Sequence, residues 1–172
     1  MKMKKFVICT FLSLMISGLV MAQNAQSFRF SVGPELGFAT GTFANTHSIG
    51  VGATIQAEIP LQQNLYGTAT TGFIAYGGKS IAGGTTKEKS QSIIPFKVGV
   101  KYFFMGGFYG AAQIGIGILG NYEKGTAFAY TPQIGYEFKT KSGKAVDATI
   151  KYDGYSKSRT IEAIGFRLAY IF

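Results

Sequence analysis

From Phe28 onward, apolar and aromatic residues return at every second position, the mark of strands with one oily face. In the first segment Phe28, Phe30, Val32, Pro34, Leu36 and Phe38 stand against Arg29, Ser31, Gly33, Glu35 and Gly37. The second alternates Ile49, Val51, Ala53, Ile55, Ala57 and Ile59 with Gly50, Gly52, Thr54, Gln56 and Glu58. Stretches around 94–104, 108–118, 128–138, 146–152 and 164–172 repeat the pattern, while the third, 65–76, has threonines and alanines that choose no face. Eight strands of about ten residues are predicted, joined at 41–48, 60–64, 77–90, 105–107, 120–125, 139–144 and 156–159. The first and third connections are long and the second and fourth short. An even count returns the chain's end to the side of its start. Ten residues at about 3.3 Å rise, tilted near 45°, cover roughly 23 Å, close to the apolar height of a membrane barrel.

A soluble barrel hides its oily set inside, whereas a transmembrane barrel turns it outward. The opposite set decides between them. It contains Arg29, Lys97, Lys101, Lys151 and Arg167 together with Glu35, Glu58, Glu137, Asp147 and Asp153, five charges of each sign. A charge-neutral, glycine-rich set suits a lumen in which the charges pair with one another. Gly33, Gly37, Gly50, Gly52, Gly72, Gly99, Gly115, Gly117, Gly135 and Gly165 share that register. They leave room for long Arg, Lys and Tyr side chains in an interior that eight strands make just wide enough to fill. Phe28, Phe30, Tyr102, Phe104, Phe108, Tyr136, Phe138, Tyr170 and Phe172 gather on the oily face at the end of the short turns, as aromatic residues do at a membrane border. The fold class expected is all-β, an eight-stranded antiparallel up-and-down transmembrane barrel.

Residues 1–22 read as a cleaved signal peptide. Lys2, Lys4 and Lys5 precede an apolar run over 6–20, and Val20 and Ala22 stand at the −3 and −1 positions of a cleavage site. The run is short for a membrane helix, which needs about 20 residues. Residues 23–172 then form the barrel. Cys9, the only cysteine, leaves with the leader, so no disulfide or cysteine-bound metal is expected. Without the three leader lysines, 14 basic residues face 8 acidic ones. That balance does not indicate nucleic acid in an exported chain lacking any recognition motif. The 19 uncharged residues 102–120 could suggest a membrane helix, but six of them are glycine and their period is two.

The exported character, the eight amphipathic strands and the closing Phe166-Arg167-Leu168-Ala169-Tyr170-Ile171-Phe172 resemble small OmpA/OmpX-type outer-membrane barrels. The oily residues Ile164, Phe166, Leu168, Tyr170 and Phe172 are similar to the signal read by the barrel-assembly machinery. The resemblance implies that machinery as a partner, together with outer-membrane lipid and lipopolysaccharide. It also implies a bacterial outer-membrane location with a periplasmic C-terminus.

Apparent chemistry mostly dissolves. Gly115-Ile116-Gly117-Ile118-Leu119-Gly120 spells GxGxxG but precedes no helix, so it cannot present N–H groups to a pyrophosphate. Residues 83–87 are glycine-rich without P-loop spacing. His47-Ser48 raises the possibility of a lipid A hydrolase, with Asn45 or Glu162 as conceivable orienters, yet a solvated loop histidine is the plainer reading. No cofactor, metal or catalytic residue is expected. The expected role is envelope structure or surface interaction, with a lipid A-modifying enzyme or a small passive pore as alternatives.

Overall fold

A computed structural model describes residues 28–80, 88–140 and 144–172. The expected signal segment, Cys9 and the glycine-rich stretch 83–87 lie outside the described residues.

Eight antiparallel strands close into a barrel in sequence order: β1 (Arg29–Thr40), β2 (His47–Gln62), β3 (Leu65–Gly78), β4 (Gln91–Met105), β5 (Phe108–Asn121), β6 (Gly125–Lys139), β7 (Ala145–Ser156) and β8 (Thr160–Ile171). At 12 to 16 residues the strands outrun the ten expected, because pairing continues past the oily band at both rims. Closure lets every neighbour satisfy its backbone groups without leaving a sheet edge, which a membrane would not tolerate. The seam is β1 against β8, from Ser31↔Ile171 to Thr40↔Glu162. It is interrupted at Gly33 and Pro34, where proline has no N–H to give.

Arg29 and Ile171 lie at one end, beside 63–64, 106–107, Thr140 and Lys144; the far end carries 41–46, 79–80, 88–90, 122–124 and 157–159. Gly106 turns the β4–β5 corner at φ +55°, a conformation that suits glycine. The alternation sets the faces. Ile49, Val51, Ile55, Ile114, Ile134 and Leu168 are exposed outward, while Glu35, Glu58, Lys97, Lys101, Glu137, Asp147 and Asp153 are buried within. Strand β3, unreadable from its sequence, turns Thr68, Thr70, Ile74 and Tyr76 inward.

Candidate functional site: the lumen and its mouth

The lumen is built in layers, each set by which inward residues the pleat stacks at one height. Nearest the termini, Lys101 Nζ meets Glu58 at 2.8 Å, Glu137 at 2.5 Å and Asp147 at 3.1 Å. Arg29 bridges Glu58 at 2.5 Å and also Glu137. Aromatic rings cover these cations. Lys101 lies 3.9 Å from the Tyr109 centroid, and Arg29 lies 5.0 Å from that of Tyr66. The Tyr109 hydroxyl donates to Asp147 at 3.0 Å.

The middle layer joins both halves of the sheet. Asp153 receives Lys97 at 2.8 Å and Lys151 at 3.1 Å, and Lys151 also reaches Glu35 at 2.7 Å. Arg167 donates to Thr54 and Ser31, each at 2.8 Å, and stands 3.7 Å from Asp147. Gln113 donates to Thr68 at 3.0 Å and Thr70 at 2.8 Å. The structure thus brings all ten sequence-predicted charges into one interior, each in at least one ion pair. Burying charge is costly unless it is matched, and the equal count of signs makes matching possible. Glu35 Oε2 and Glu137 Oε2 are the carboxylate oxygens left without a partner there.

Toward the far end the interior becomes apolar. Ile74, Ile93, Leu119, Ile161, Tyr76 and Tyr155 fill it. The tyrosines fit because they lie on glycine. A Cβ at Gly50 would come within 2.6 Å of the Tyr76 ring, and one at Gly117 within 2.5 Å of Tyr155. A 3-10 turn at Gly41–Asn45 then folds Phe43 inward over this layer, 5.3 Å from the Tyr76 centroid.

His47 departs from its sequence reading. It is not a solvated loop residue but the fully buried first residue of β2, stacked on Phe43 at 4.4 Å and edge-on to Tyr122 at 4.8 Å. The cause is a β-bulge between His47 and Gly50 that reverses the alternation and turns the imidazole inward. Its Nε2 stands 3.1 Å from the Lys89 carbonyl and so carries a proton; Nδ1 stands 2.9 Å from Thr46 Oγ1. Ser48 faces outward and donates to the Gly77 carbonyl at 3.3 Å. Sequence periodicity also passed over the apolar plug. The signal was present where both faces of a strand are apolar, as in Ile93-Ile94, Phe73-Ile74 and Ile118-Leu119, a sign of burial on both sides.

Above the plug, a hollow of about 380 Å³ opens between Phe43, Asn45, Tyr122, Glu123 and Arg159. The β8 residues Ile164, Phe166, Leu168 and Tyr170 face outward, and Phe172, just past the strand's end, is exposed as well. Among the described residues no group of His, Cys, Asp and Glu could hold a metal ion.

Residues 9–172 match the family model described as outer membrane protein beta-barrel domain. Solved structures with the same fold include Ail, the attachment invasion locus protein of Yersinia pestis (12% identity, TM-score 0.58, covering 84% of this chain and 97% of that one). Neisserial surface protein A is similar at 11% identity and TM-score 0.59, over 84% of this chain and 94% of that one. OprG from Pseudomonas aeruginosa is similar at 8% identity and TM-score 0.57, over 84% and 95%. No curated protein matches the sequence.

Proposed function

The chain belongs to the outer membrane protein beta-barrel family, and from that premise we propose that it is a non-conducting, non-enzymatic barrel serving envelope structure and surface interaction. The observation that carries this reading is the double closure of the lumen. A layer of interlocked ion pairs is stacked on an apolar layer capped by Phe43. Eight strands enclose a space that side chains fill, which leaves little room for solute.

The terminus end is assigned to the periplasm and the far end to the cell surface. There Lys79, Lys89, Lys124, Lys157 and Arg159 outnumber Glu88 and Glu123 among the described loop residues. Arg159 makes no ion pair among the described residues and borders the mouth hollow, so an anionic surface ligand or lipopolysaccharide phosphate is the fitting partner. Ail, similar in fold, has been crystallised with the heparin analogue sucrose octasulfate. The outward face of β8 suits recognition by the barrel-assembly machinery. Absence of catalysis is supported by the geometry at His47. Both its nitrogens are occupied by Thr46 and Lys89, and Ser48 points to the other face, so no base–nucleophile pair forms.

Planar-bilayer recording of the purified protein tests the proposal. No large, steady conductance is expected; a stable pore passing sugars would replace this reading with transport.

A further inference from the structure

The lipid-facing wall is not uniform. Between the girdle aromatics of β5–β6 and the large residues of β8 and β1 lies an apolar groove of about 720 Å³. Its floor is Ala148, paired with Tyr136 on one side and Leu168 on the other, so one methyl group stands between two large side chains. Tyr136 packs edge-on against Phe108, with ring centroids 4.5 Å apart. Leu168 and Leu36 form the opposite wall.

The terminus-end rim directly above this groove is basic. Lys139 and Lys144 are both exposed and neither makes an ion pair among the described residues; Lys139 shares the inward register of Glu137, whereas Lys144 shares the outward register of Val146 and Ala148. The acids nearest in sequence, Glu137 and Asp147, point into the lumen and are engaged there. Lys144 is folded toward the lipid face. Its ammonium lies 5.6 Å from the Tyr170 centroid and 5.8 Å from that of Phe172. Tyr170 follows the groove wall Leu168 by one outward position on β8, so cation and groove share one column of the barrel wall.

We propose that this column is a specific site for one anionic phospholipid of the leaflet at the terminus end. Lys144 holds its phosphate, and one acyl chain lies over Ala148. A phosphate oxygen accepts charge-assisted hydrogen bonds from an ammonium, and the border position lets Lys144 stay hydrated while doing so. The apolar groove supplies the contact that a bare lysine lacks. The site rests on the membrane-barrel reading, though not on the absence of conduction.

Native mass spectrometry of the protein released from vesicles of phosphatidylethanolamine with a minority of phosphatidylglycerol tests it. One retained phosphatidylglycerol per chain is expected, enriched roughly fivefold over its bulk share, the order anticipated for one lysine near an anionic lipid. Lys144→Gln should abolish the enrichment, and Ala148→Phe should remove the retained lipid by filling the groove. Retention in the bulk ratio, or retention unchanged by both variants, would overturn the site. Each variant is first checked for a folded, heat-modifiable gel band. A wild-type chain that gives no such band in vesicles would count against the barrel reading instead.

Discussion

Lys101 binds more carboxylates than any other side chain in the lumen. Its ammonium holds Glu58, Glu137 and Asp147 together from three different strands, at 1% side-chain exposure. Removing it strands three carboxylates in a dry interior. Arg29 would still serve Glu58 and Glu137, but Asp147 would keep Arg167, at 3.7 Å, as its one cation, beside the neutral hydroxyls of Tyr109 and Thr149. Lys101→Ala should therefore cost about 3–5 kcal/mol, the usual penalty for breaking a buried pair from one side. Lys89→Ala, on an exposed loop whose carbonyl rather than ammonium serves His47, should stay within about 0.5 kcal/mol. Urea titration of refolding into lipid vesicles reads both; equal sensitivity would mean that the lumen charges are not dry.

Strand curvature depends on where side chains are missing. An ideal Cβ at Gly99 would lie 2.0 Å from the Ala112 carbonyl oxygen on the neighbouring strand, a contact that backbone cannot relieve cheaply. At Gly67, on the outer face, the nearest atom would be Leu61 Cδ1 at 3.6 Å. Gly99→Ala should destabilise by about 1–3 kcal/mol, as overpacking does. Gly67→Ala should be neutral or stabilising by about 0.5–1 kcal/mol through the unfolded chain. The same vesicle titration separates them; two neutral results would mean the β4–β5 backbones are not in close approach. This is also the scale at which the sequence was most informative. Glycines in the charged register, such as Gly99 and Gly115, announced a crowded interior, and alternation assigned faces for seven strands. Strand β3 escaped because threonine and alanine sit at either surface with little preference. His47 escaped because a bulge breaks the period without leaving a residue type that marks it. The apolar far-end plug escaped because Ile74, Ile93, Leu119 and Ile161 come from four strands and meet only after closure. Charges could be assigned to the lumen by parity, but their partners depend on strand stagger, which alternation does not encode.

Closure is the property of the whole molecule from which the others follow, since layers of ion pairs and rings exist only once β1 meets β8. The ladder of that seam is broken at Pro34, between Val32↔Tyr170 and Glu35↔Arg167. It can be tested directly, because the only cysteine in the chain is Cys9. Ala39 and Ala163 are Cα partners across the seam, both small and directed inward. The seam hydrogen bond from the Phe172 N–H to the Phe30 carbonyl falls at an even position of β1. Odd positions such as Ala39 are therefore the closely spaced, non-hydrogen-bonded pairs. Their Cα separation of about 4.5 Å falls within the range a disulfide accepts. In a chain beginning at Gln23, Ala39→Cys/Ala163→Cys should oxidise within one molecule, with a measurable change in the gel mobility of the boiled form that reductant reverses. Ala39→Cys/Val98→Cys should not, because Val98 faces outward on β4. If the seam pair stayed reduced in a folded, heat-modifiable protein, β1 and β8 would not be neighbours. The interior would then have an open side through which water could reach Lys97, Lys151 and Asp153.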